Sequence, residues 1–97
     1  MGNQEQAETL ALQALAYLFS TPKLTERFLS ETGFTPAQVK ADAQAPEVLE
    51  AALAVLSNDE ALLLAFAANN ALAPEDIVSA FDLLASGRGR KRPLSST

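Results

Sequence analysis

Asp59-Glu60-Ala61-Leu62-Leu63-Leu64-Ala65-Phe66-Ala67-Ala68 decides the fold. From Ala61 onward it carries no charge and no β-branched residue. Ala and Leu lose little side-chain freedom in a helix, so the segment reads as helix. Asn58 stands ahead of it as the expected cap, and Asp59 and Glu60 suit the positive end of the helix dipole. Asn69-Asn70 ends it. A helix apolar on every side is expected to be buried, and eight apolar residues fall far short of the roughly 20 that span a membrane. This fifth helix is therefore expected to be the most buried element of a globular domain.

Working outward, prolines mark the other helix starts. Pro74-Glu75-Asp76 opens a sixth helix whose apolar side holds Ile77, Val78, Phe81, Leu84 and Ala85. Upstream, Pro46 opens a fourth, bearing Val48, Leu49, Leu53 and Leu56. Thr35-Pro36-Ala37-Gln38 has capping-box spacing, with Phe34 placed to staple onto Val39, and predicts a short third helix to about Gln44. Thr21 caps a second helix with Pro22 in its first turn, and Gly33 supplies the left-handed residue that closes it. The first helix runs from about Gln4 to Phe19. Its stripe of Leu10, Ala11, Ala14, Leu15, Leu18 and Phe19 is widened around the cylinder by Leu12 and Tyr17. The expected fold is all-α: a compact bundle of about six short helices forming one domain over residues 1–86.

The chain also echoes itself at a displacement of 38 residues. Ala14, Leu15, Ala16, Leu18, Leu24, Phe28 and Pro36 fall on Ala52, Leu53, Ala54, Leu56, Leu62, Phe66 and Pro74. Phe34 falls on Leu72 and Val39 on Ile77. The matches sit at helix breaks and large apolar positions, which suggests two three-helix units, residues 11–47 and 49–85.

The 97 residues include no Cys and no His. That excludes disulfides and thiol chemistry and removes the commonest general base and metal ligand. No cofactor and no metal are expected, and the chain reads as a non-enzyme. The N-terminus lacks the positive region of a secretory signal, so a cytoplasmic protein off the membrane is expected. Residues 1–86 hold twelve acids against three bases (Lys23, Arg27 and Lys40), a net −9. Residues 87–97 hold Arg88, Arg90, Lys91 and Arg92 with no acid and no apolar periodicity, and are expected to form a basic, disordered tail.

Candidate chemistry is sparse. The acid pairs Asp59-Glu60 and Glu75-Asp76 could bind a cation or divide acid and base roles, but both sit in first helical turns, where acids belong for dipole reasons. Ser20-Thr21-Pro22-Lys23 sets a hydroxyl near an amine, yet reads first as a cap. Gly87-Arg88-Gly89 lacks the strand that precedes a dinucleotide-binding loop. Phe19, Phe28, Phe34, Phe66 and Phe81 read as core, with a partner-helix groove as the alternative. Arg88, Arg90, Lys91 and Arg92 are candidate contacts for nucleic acid or an acidic partner, without aromatics for base stacking.

The stretches Arg27-Phe28-Leu29-Ser30-Glu31-Thr32-Gly33-Phe34-Thr35-Pro36 and Asp59-Glu60-Ala61-Leu62-Leu63-Leu64-Ala65-Phe66-Ala67 resemble the two signatures of domain-of-unknown-function family 3572. That is a family of short, uncharacterised, all-helical alphaproteobacterial proteins. The resemblance covers roughly Ala7 to Leu84 and implies a small helical protein, with no activity or site residues to carry over. One departure is Asn70-Ala71, where the family pattern has Gly before Leu72; Asn70 is expected to serve the same left-handed turn. The expected function is that of a non-enzymatic protein–protein interaction module acting on an unidentified protein or on itself as a homodimer. The alternative is a nucleic-acid accessory protein acting through the basic tail.

Overall fold

In a computed structural model the backbone is described over residues 4–96 and the side chains over residues 4–86. Six helices follow one another: α1 (Gln4–Leu18), α2 (Pro22–Thr32), α3 (Pro36–Ala41), α4 (Pro46–Ser57), α5 (Glu60–Asn69) and α6 (Pro74–Ser96). No strand occurs among the described residues. The expected basic tail, with Arg88, Arg90, Lys91 and Arg92, lies outside the residues whose side chains are described.

Helices α1, α4 and α6 pack on one another and enclose the core, while α2 lies on α4 and α1, and α5 on α4 and α6. The expectation that α5 sits at the centre is overturned. The centre is α4, which buries Val48, Leu49, Ala52, Leu53, Val55 and Leu56. Those six positions cover more than half the cylinder, so α4 faces α1 and α6 at once. Helix α5 buries only Leu62, Leu63, Phe66 and Ala67 and leaves Leu64 48% exposed. Apolar character all round permits burial on every side, but α5 has neighbours on one side only.

The caps explain the boundaries. Thr21 accepts a hydrogen bond from the Leu24 N–H at 3.3 Å. Thr35 and Gln38 complete the capping box, with the Gln38 N–H donating to Thr35 Oγ1 at 3.1 Å and the Thr35 N–H donating to Gln38 Oε1 at 2.9 Å. With its six residues, α3 is anchored by Val39 and stops at Ala41 instead of Gln44. The cap of α5 is Asp59, which accepts from the Leu62 N–H at 3.1 Å; Asn58 instead ends α4. α1 ends at Leu18.

Positions 38 residues apart carry matching local structure. Thr21 and Asp59 are both N-caps, and Leu24 and Leu62 are their donors. Phe28 and Phe66 are both fully buried, as are Leu18 and Leu56. Pro36 and Pro74 both open helices. Gly33 and Ala71 both take positive φ, 82° and 54°. The left-handed residue of the second turn is thus Ala71, where Asn70 was expected. Asn70 lies at φ −113°, and its side-chain amide donates to the Phe66 carbonyl at 3.1 Å.

α4 and α5 meet at a bend of 109°. No single helix among the described residues is long and apolar enough to cross a membrane. The apolar surface of α4 is spent on the core.

Candidate interaction surface

The candidate chemical groups resolve into structural roles. The Ser20 hydroxyl donates to the Tyr17 carbonyl at 2.6 Å, and Thr21 is the cap of α2, so neither is free as a nucleophile. Glu75 and Asp76 lie in the first turn of α6. Among the described residues no three Asp or Glu side chains gather as a metal site would require.

Asp59 does more than the sequence suggested. One carboxylate oxygen caps α5, and the other meets Arg27 Nη1 at 2.6 Å. Arg27 Nε also binds Glu31 at 2.8 Å. The two stretches that carry the family resemblance are therefore tied by an ion pair, from α2 to the start of α5. The Leu62 N–H, followed by the Arg27 guanidinium, holds the Asp59 carboxyl below its ordinary range. A carboxylate whose folded pKa is depressed contributes stability above the unfolded value of about 3.9 and loses it as pH falls through the folded value. Asp59→Asn keeps a cap but not the charge pair. We expect the variant to be less stable than the wild type at pH 7, with the gap closing as pH drops below about 4. Urea midpoints of both proteins at pH 7, 4 and 2.5 check this; a constant gap would assign the effect to the cap alone.

The phenylalanines divide between core and surface. Phe28 and Phe66 are fully buried. Phe28 meets the rings of Phe19 and Phe34 at 5.7 and 6.1 Å, and Phe66 meets Tyr17 at 5.3 Å. Phe34 and Phe81 are half-buried, but Phe19 is exposed at 36%, as is Leu12. Leu12, Ala16 and Phe19 form an exposed stripe at i, i+4, i+7 on α1. The stripe faces α3, and an apolar groove runs between them. Leu12, Leu15, Ala16 and Phe19 line one wall; Pro36, Val39, Lys40 and Ala43 line the other. Lys40 is the one charged side chain in this lining.

The groove exists because α3 is too short to cover α1. The corresponding helix of the second half, α6, is long enough to pack along both α1 and α4. The residues 38 positions on from Leu12 and Phe19 are Glu50 and Ser57, so α4 is polar where α1 is apolar. A second, more polar depression lies between Gln6, Ala7 and Leu10 of α1 and Asp76, Ser79, Ala80 and Leu83 of α6. It holds one carboxylate and no second reactive group.

The family described as "Protein of unknown function (DUF3572)" matches residues 4–87, nearly the whole of the described side-chain region. No curated protein and no solved structure matches the chain.

Proposed function

We propose that this chain, which belongs to the DUF3572 family of proteins of unknown function, is a cytoplasmic, non-enzymatic protein–protein interaction module that binds through the α1/α3 groove. The observation that carries the reading is the groove itself. Leu12, Ala16 and Phe19 stand exposed in one line above Val39, where burial would otherwise be expected to gather them. Burying apolar surface is worth about 25 cal/mol per Å², so an uncovered groove of this kind favours association. Helix-in-groove recognition uses anchors with this i, i+4, i+7 spacing.

The test is a comparison in the native host of tagged wild-type chain with Leu12→Glu and Ala16→Glu variants. Both positions are exposed and on a helix, so the variants are expected to keep the wild-type circular dichroism. The expected result is a set of proteins captured by the wild type and lost from both variants. Identical capture by all three chains would sink the proposal.

A further inference from the structure

We propose that the occupant of the α1/α3 groove is α5 of a second copy of this chain. The inference rests on the groove being a binding surface, as argued above, and adds what fills it. Helix α5 presents Ala61, Leu64, Ala65 and Ala68 to solvent, with Glu60 at one end of the same face. This is an unpartnered apolar face in an otherwise acidic body. The fold does not require it. In α2, which holds the corresponding place in the first half, the residues 38 positions earlier are Lys23, Glu26, Arg27 and Ser30. α2 thus presents charge and hydroxyl where α5 presents methyl groups and a leucine. Each half has one apolar surface its counterpart lacks: α1 in the first half and α5 in the second.

The two surfaces complement each other in shape and charge. The groove is concave between two helices, and α5 offers Leu64, the most exposed large hydrophobic side chain, flanked by alanines that allow close approach. Residues 1–86 carry twelve acids and three bases, so two bodies repel in most orientations. Of the three bases, Arg27 is already paired within the chain. Lys40 stands on the groove wall, and among the described residues neither Lys40 nor Glu60 enters an ion pair. Seating Leu64 between Leu12 and Val39 directs Glu60, one turn away on the same face, toward Lys40. That pairing selects this approach over others that bring acid against acid.

Because groove and α5 face are different surfaces, the contact is heterologous, and this makes it testable by complementation. Leu12→Glu spoils the groove and leaves the α5 face intact; Leu64→Glu does the reverse. Sedimentation velocity on the full chain, from about 1 to 500 μM, is expected to show concentration-dependent association of the wild type, weakened at least about tenfold in each variant. An equimolar mixture of the two variants regains a one-to-one complex, since it holds one intact groove and one intact α5 face. Lys40→Glu and Glu60→Lys each weaken association about 2–5-fold, and the double exchange restores it. Association that neither variant disturbs, or a mixture that fails to complement, overturns the proposal. A strictly monomeric wild type overturns it as well. If that monomer still captures host proteins in a Leu12-dependent way, the groove binds another partner and only the second-copy assignment falls. If it captures none, both readings fall together.

Discussion

Replacing Phe66 by alanine is expected to cost about 3–5 kcal/mol, because a fully buried ring is removed from a core that cannot collapse around the space. The core is rich in alanine: Ala7, Ala11, Ala14, Ala52, Ala67 and Ala80 are all buried. Small side chains bring helix backbones together but have no reach with which to fill a void. The loss therefore falls on the few large side chains, Phe28, Phe66, Leu18, Leu53, Leu56 and Ile77. Phe66 also supports Tyr17 at 5.3 Å, so truncation frees a half-buried ring of α1 as well as the inner face of α5. Domains of this size are stable by about 5–15 kcal/mol, so the variant should stand near the unfolding threshold. Urea denaturation checks this through a fall in midpoint at unchanged slope. Val78→Ala, which truncates a side chain 38% exposed on α6, is the control and is expected to stay within about 0.5 kcal/mol of wild type. A comparable loss at both positions would contradict the core assignment.

The same distribution of large and small side chains explains what the sequence made legible. The helix starts were legible because their chemistry is local. Thr21 with Pro22, Thr35 with Gln38, and Pro46 and Pro74 each satisfy or remove donors within one turn. The centre of the bundle was not legible, because it depends on which helix has neighbours on two sides. An apolar run like Ala61 to Ala68 looks the same whether both faces are covered or one is left bare. In α4 the mixture of Glu47, Glu50 and Ser57 with large apolar residues reads as an ordinary amphipathic helix, yet it is α4 that α1 and α6 enclose.

The candidate surface was legible only in part. Leu12 and Tyr17 already widened the apolar stripe of α1 beyond what one neighbour covers. What the sequence withheld was the length of α3. Its apolar residues continue to Ala43 and Ala45, and the helix nevertheless ends at Ala41 with the Asp42 N–H bonded to the Gln38 carbonyl. That early stop leaves the Leu12, Ala16 and Phe19 stripe uncovered. The Arg27–Asp59 pair was hidden for a different reason. Asp59 was explained by the helix dipole, and a side chain that caps with one oxygen still has a second to offer across the fold.

Gly33→Ala and Ala71→Gly are expected to move stability in opposite directions, the first down by about 1–2 kcal/mol and the second up by about 0.5–1 kcal/mol. Both residues close a helix in the left-handed region, and they stand 38 residues apart. The Gly33 N–H returns to the Leu29 carbonyl at 2.8 Å. After α5, the Leu72 N–H reaches back to the Ala67 carbonyl at 2.8 Å and the Ala71 N–H to the Ala68 carbonyl at 3.4 Å, the paired bonds of a Schellman ending. A β-carbon added at Gly33 would meet nothing within 4 Å. Its cost is therefore the left-handed backbone itself, where a side chain crowds the adjacent carbonyl. Ala71 bears that cost already, at φ 54°. Glycine there relieves it and gives back part of the gain, because the unfolded chain becomes freer. The two positions thus form a reciprocal pair in one protein: the second turn carries the alanine that the first avoids. Urea midpoints of both single variants and of the exchanged double variant measure the pair. The two turns lie in separate parts of the fold, so the double should equal the sum of the singles. A destabilised Ala71→Gly would show that the turn after Asn70 is held by contacts of the alanine methyl group and not by the Schellman bonds alone.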